Sequence, residues 1–145
     1  DFGADHTISL KQCPTAKERV QRVKELTAGR FADVVVEVTG IPQAVSEGLS
    51  MTRIAGSYLV MGNISRGQMV EIDPSNLVIF SRRIVSVVTY EPWALARALD
   101  LVRRTRSRYP FDRLLSHKFP LGQINEAFGQ ADRGLVTRAS ILPWD

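Results

Sequence analysis

The chain has 145 residues, 44% hydrophobic and 23% charged, with a formal charge of +4. That balance is typical of an ordinary soluble globular protein, of a length suited to one compact unit or one domain with an extension. No apolar run approaches the roughly 18 residues a membrane-spanning helix needs. The single cysteine, Cys13, excludes an internal disulfide and fits a reducing compartment, so the cytoplasm is the expectation. Residues Asp1 to Asp5 contain neither an initiator Met nor a basic flank and apolar core, so they read as a point partway through a longer chain rather than a signal peptide.

In chain order, Thr15 and Glu18 have the spacing of a capping box. The helix they open carries Val20, Val23 and Leu26 on its buried side and stops at Gly29. Ala32 to Thr39 is a valine-rich run of the kind covered on both faces in parallel sheets. Gly40 turns the chain, and Pro42 suits the first turn of a second helix, with Val45, Leu49 and Met51 or Thr52 facing inward and Gly56 closing it. Ser57 to Met61 is the next strand, finishing at Gly62-Asn63. A looser stretch follows, with extended residues at 69–72 and a helical turn from Pro74 towards Phe80. Ile84 to Thr89 is a third strand, and Pro92 to Arg104 an arginine-bearing helix. Beyond Pro110 come an irregular extended piece (114–119), a helix from Leu121 to Asp132 ending at Gly134, and a last strand from Thr137 to Leu142.

Short β-branched runs alternating with helices define an α/β fold with a parallel sheet. Three strands and two crossovers make half of a doubly wound, Rossmann-type sheet, in which ligands bind beyond the carboxyl ends of the strands. Those ends are Thr39-Gly40, Met61-Gly62-Asn63 and Val88-Thr89. Glycine in two of them admits close backbone approach to a ligand, or simply makes a turn. Glu37 interrupts an apolar strand near this end and must be solvated or paired. It reads either as a carboxylate satisfied at the sheet rim or as a group lining the cleft.

The cationic excess, 15 arginines against 4 lysines, is densest at Arg97, Arg103, Arg104, Arg106, Arg108 and Arg113. Leu95, Leu99 and Val102 repeat at helical spacing opposite several of them. The arginines are therefore expected on the wet side of an amphipathic helix, with Asp100 placed to pair with Arg104. No G-x-G-x-x-G or phosphate-cradling loop is present. Cys13, His6 and His117 fall at no metal-ligand spacing and are expected to be structural. These residues alone supply no nucleophile, base or metal site.

Several segments together resemble the medium-chain, zinc-type alcohol dehydrogenases. Phe2 to Asp5 is similar to the segment after the second strand of that family's coenzyme domain. Ala32 to Gly40 resembles the fourth strand and its turn, and Gly56 to Gly62 the fifth. Leu114 to Leu121, Ile124 to Phe128 and Arg138 to Pro143 resemble the return of the chain to the catalytic domain.

The resemblance implies that residues 1–105 are the second half of a dinucleotide-binding domain and 106–145 a tail belonging to a catalytic domain. It implies that Val38, Thr39, Gly40, Met61, Gly62 and Asn63 line the nicotinamide side of the cleft. The backbone near Val88 and Thr89 would meet the carboxamide, and Arg138 would be either a cation against a cofactor phosphate or a solvated edge residue. NAD or NADP is the implied cofactor of the parent protein, an alcohol or carbonyl compound its substrate, and a homo-oligomer its state, with residues 65–80 as a subunit contact. No nucleic-acid or membrane partner is implied. The glycine fingerprint and the zinc ligands of the family are expected upstream of Asp1, so the chain alone is expected to be inactive. Two other readings stay open: a zinc-free quinone or enoyl reductase of the same family, and a non-catalytic module binding nucleic acid through the arginine helix.

Overall fold

A computed structural model describes residues 2–64 and 66–144. They form two compact units, residues 6–90 and residues 91–145 together with the first five.

The 6–90 unit opens with helix α1 (Ala16–Leu26). Thr15 caps it as its spacing predicts: the Thr15 hydroxyl accepts from the Glu18 amide at 3.3 Å, and the Glu18 carboxylate accepts from the Thr15 amide at 2.8 Å. Both orphan donors are satisfied reciprocally, which fixes the helix start. Strand β1 (Ala32–Glu37), helix α2 (Pro42–Met51) and strand β2 (Thr52–Val60) follow, then a single helical turn, α3 (Ser75–Val78), and strand β3 (Arg83–Ser86). All three strands are parallel, in the order β1-β2-β3. Glu37 pairs with Val60 and Val60 with Ser86, so the carboxyl ends lie in one row.

Helix α2 covers one sheet face. Its approach is close because Gly48 has no side chain: a Cβ there would stand 2.5 Å from the Tyr58 hydroxyl and 2.6 Å from its ring. Tyr58 is fully buried and donates to the Ala44 carbonyl at 2.8 Å. Gly48→Ala is therefore expected to cost about 2 kcal/mol, the usual size of overpacking against a ring that cannot move away. Chemical unfolding would measure it, and an unchanged midpoint would contradict this packing. Arg19 ties α1 to α2 through a bidentate pair with Glu47, at 2.6 and 2.7 Å, and donates from Nη1 to the carbonyls of Cys13 and Pro14.

Four expectations need correction here. Helix α2 ends at Met51, not Gly56. Gly56 lies inside β2, where a Cβ would meet the Thr52 methyl at 2.7 Å and the Asp33 carbonyl at 3.1 Å, so it marks a close backbone approach rather than a helix stop. No strand forms at 69–72. Strand β3 ends at Ser86, leaving Val88 and Thr89 in the bend beyond it. Finally, β1 is not covered on both faces. Val34, Val36 and Val38 are 62%, 51% and 66% exposed, because α2 packs only on the side of Val35 and Tyr58.

The second unit holds helix α4 (Pro92–Thr105), strand β4 (His117–Pro120), helix α5 (Ile124–Asp132) and strand β5 (Ala139–Leu142). One-turn 3-10 segments span Phe111–Leu114 and Leu121–Gln123. β4 and β5 pair in parallel, and Phe119, Ala127 and Val136 form the core between them and α5, backed by Ala139 and Ile141. Phe2 joins this unit, stacking on Tyr109 and meeting Phe111 edge-on. On α4 the expected Asp100–Arg104 pair forms at 2.8 Å, with a second to Arg103 at 3.0 Å. Leu95, Leu99 and Val102, however, are exposed rather than buried. Period 3.6 identifies an apolar stripe but not what covers it.

Candidate cofactor site

The turns that follow β1 and β2 are built around one carboxylate. Glu37 is only 4% exposed. Its Oε1 accepts from the Thr39 amide at 2.6 Å, the Thr39 hydroxyl at 2.8 Å and the Gly40 amide at 2.8 Å. Its Oε2 accepts from the Gly62 amide at 3.2 Å and from Asn63 Nδ2 at 2.7 Å. The Glu37 carbonyl also accepts from the amides of Met61 and Gly62. One residue thus holds both turns, and both of its oxygens face inward. Of the two readings its position allowed, this is the satisfied carboxylate at the sheet rim.

The glycines make the clamp sterically possible. Gly40 has φ +74°, a left-handed value that L side chains rarely adopt, and a Cβ there would come within 2.9 Å of the Gly62 carbonyl. A Cβ on Gly62 would fall 2.5 Å from the Gly40 nitrogen, 2.7 Å from the Val38 carbonyl carbon and 2.8 Å from Glu37 Oε1. Neither turn has room for a side chain between it and the other.

Burial pushes the Glu37 carboxyl upward, but hydrogen bonds from Thr39, Gly40 and Asn63 outweigh it and hold the group at about 2, against an ordinary 4.5. The folded state therefore favours the charged form. Its stabilisation is fully present above 4.5 and is lost as pH falls from there towards about 2. We expect the denaturant midpoint to drop between neutral pH and about pH 3, and to drop less in Glu37→Gln. Equal drops in both proteins would count against a charged clamp.

Around this clamp lie Val38 and Met61, both exposed, and a cavity of about 410 Å³ lined by Val60, Met61, Asn63, Ile64, Arg66, Ser86, Val87 and Val88. The structure thus brings Val38, Thr39, Gly40, Met61, Gly62, Asn63, Val88 and Thr89 to the carboxyl ends of the three strands. The hydroxyl of exposed Thr39 donates to Glu37 and accepts from the Ile41 amide. Asn63 commits its Nδ2 to Glu37, while its Oδ1 has no partner among the described residues. The backbone groups of Val88 and Thr89 are engaged by none of the described residues. Arg138 belongs to the other unit, where it is exposed just before β5 and its amide and carbonyl bond to Ser116.

Sequence reasoning flagged Glu37 as an anomaly but missed its partners, because Asn63 is 26 residues away. It missed a second cavity altogether. That cavity, about 580 Å³ at the amino ends of the strands, is lined by Arg30, Phe31, Arg53, Phe80 and Arg82 among others. Arg82 stacks over Phe80 there, with a buried Nε that has no partner among the described residues. Among those residues no group of three or more His, Cys, Asp or Glu is placed to hold a metal ion. No helix among them is long and apolar enough to cross a membrane.

The parallel sheet with its row of carboxyl-end turns defines a dinucleotide-domain class of fold. The model of the zinc-binding dehydrogenase family matches residues 1–104, and the chain belongs to that family. It is 30% identical over 140 residues to 5-exo-hydroxycamphor dehydrogenase of Pseudomonas putida, covering 97% of this chain and 38% of the relative. It is 29% identical to the L-threonine 3-dehydrogenase of Symbiobacterium thermophilum, covering 98% and 39%. A solved zinc-binding-domain alcohol dehydrogenase from Burkholderia ambifaria is 29% identical, with a TM-score of 0.80 over 97% of this chain and 37% of that one. An alcohol dehydrogenase from Thermotoga maritima shares the fold at TM-score 0.86 and 23% identity, over 97% and 38%. The chain spans less than two-fifths of the length of these relatives.

Proposed function

We propose that this chain supplies the nicotinamide-side half of the cofactor site of a dehydrogenase that transfers a hydride between an alcohol and NAD or NADP. The observation that carries the reading is the gathering of three parallel strand ends, in a member of the zinc-binding dehydrogenase family, two of them finishing in turns at Gly40 and Gly62 that leave no room for a side chain between them. The residues fit a dinucleotide. Exposed Val38, Met61 and Val88 offer apolar surface to an aromatic ring, and the backbone beyond β3 offers polar groups not engaged by the described residues. The inward-facing Glu37 carboxylate does not compete for the ligand.

In such a site Val38, Met61 and Val88 would hold and orient the nicotinamide ring, which when bound would supply the hydride acceptor or donor. Zinc, when bound, polarises the alcohol oxygen; its ligands would come from other residues of the protein. Residues 1–105 are assigned to the dinucleotide domain and 106–145 to a tail rejoining a catalytic domain. Arg138 is assigned to a cofactor phosphate, which Arg138→Gln would test through weaker cofactor binding. The parent protein is assigned to the cytoplasm and to a homo-oligomeric state.

The experiment is titration of the full-length protein with NADH and NADPH, followed by turnover on a panel of secondary alcohols and polyols, read by the absorbance of reduced nicotinamide. Saturable binding of one dinucleotide and alcohol-dependent reduction are expected. Binding of neither would overturn the reading.

A further inference from the structure

We propose that Glu37 is a positioning residue that fixes the polarity of Asn63, turning its amide so that Nδ2 is held by the carboxylate and Oδ1 is presented as an acceptor to the nicotinamide riboside. This deepens the proposed function and rests on it. Its basis is a chain of three observations. A carboxylate only accepts hydrogen bonds, so it selects the donor end of any amide beside it. The selection here is strict, since the Asn63 Nδ2 to Glu37 Oε2 bond is 2.7 Å long and the rest of that carboxylate is committed to the Thr39, Gly40 and Gly62 donors. The far end of the same amide, Oδ1, has no partner among the described residues, and Asn63 lines the cavity with Met61 and Val88. An acceptor there suits a ribose hydroxyl or a carboxamide N–H.

Glutamine at position 37 would reverse that polarity with little change of shape. Its carbonyl oxygen would accept from Thr39 and Gly40, while its amino group would face the donor Nδ2 of Asn63. The Asn63 amide would turn over, pointing a donor into the cavity where an acceptor had been. Adding Asn63→Asp would repair the site. One oxygen of the new carboxylate would accept from the introduced glutamine amide, and the other would again face the cavity as an acceptor.

The test uses full-length protein in four forms: unchanged, Glu37→Gln, Asn63→Asp, and Glu37→Gln with Asn63→Asp. Binding of NADH and NADPH is compared with binding of ADP, which lacks the nicotinamide riboside, and melting temperature is followed in parallel. Glu37→Gln is expected to weaken the dinucleotide about tenfold or more, the cost of one misplaced donor, and to leave ADP binding unchanged. The double variant is expected to regain most of that loss. Should Glu37→Gln fail to fold, Asn63→Leu, which removes the acceptor at a half-buried position, carries the same prediction. Unchanged dinucleotide binding in the variants, or parallel loss of ADP and dinucleotide, or a double variant no better than Glu37→Gln alone, would overturn the inference. Failure of the unchanged protein to bind any dinucleotide would instead overturn the function on which it rests.

Discussion

Glu37→Ala is expected to lower the unfolding free energy of the 6–90 unit by about 3 kcal/mol or more. The carboxylate accepts from three backbone amides, one hydroxyl and one side-chain amide. Truncation keeps the Glu37 carbonyl, so Gly62 retains one acceptor. It strands the Thr39 and Gly40 amides and the Asn63 donor in a place where only 4% of the residue meets solvent. Each donor left unpaired in such a site costs about 1–3 kcal/mol, and water admitted to the new space recovers part of that. A control sets the scale. Glu25 is paired with Arg22 on the exposed side of α1, and solvent screening leaves exposed pairs of this kind contributing little. Chemical denaturation of Glu37→Ala and Glu25→Ala side by side should separate the two clearly. Similar losses for both would remove Glu37 from its place at the centre of the site.

The 145-residue chain prepared by itself is expected to self-associate, and Val36→Lys is expected to weaken that association at least about tenfold. Two features drive it. Strand β1 pairs only with β2, so its other edge is unpaired among the described residues, and an open parallel edge is a template for another chain. Beside it, Val34, Val36 and Val38 present a continuous exposed apolar row. Burying one valine side chain is worth about 1.5–3 kcal/mol, and about 1.4 kcal/mol is a factor of ten in an equilibrium constant. Lysine at Val36 both removes that gain and places a charge on the face without disturbing the packed side, where Val35 and Tyr58 meet α2. Sedimentation over a range of concentrations would read it. A monomer at every concentration, with or without the lysine, would contradict this role for the bare face.

Much of the fold is legible in the residues, and the exceptions share a cause. The Thr15–Glu18 cap, the Pro42 helix start and the valine run into Gly40 are local signals, and the structure realises each of them. Gly56 misleads because glycine marks both a stopped helix and a spot where another atom must come close, and only the packing of Thr52 and Asp33 around it decides which. The stripe of Leu95, Leu99 and Val102 is readable as apolar, yet burial depends on a partner surface that periodicity does not contain.

The site follows the same division. The three turn positions can be read because parallel strands bring their carboxyl ends together as a matter of topology. The Glu37–Asn63 bond and the Arg19–Glu47 pair span 26 and 28 residues, and no local pattern links such partners. A charge in an apolar strand announces that a partner exists without saying where.

The most direct test of the central claim is a crystal structure of the full-length protein with its reduced dinucleotide bound. The nicotinamide ring is predicted to lie in van der Waals contact, about 4 Å, with Val38, Met61 and Val88, and the turns at Gly40 and Gly62 to remain clamped by Glu37. A nicotinamide seated elsewhere, with those turns facing solvent, would contradict it.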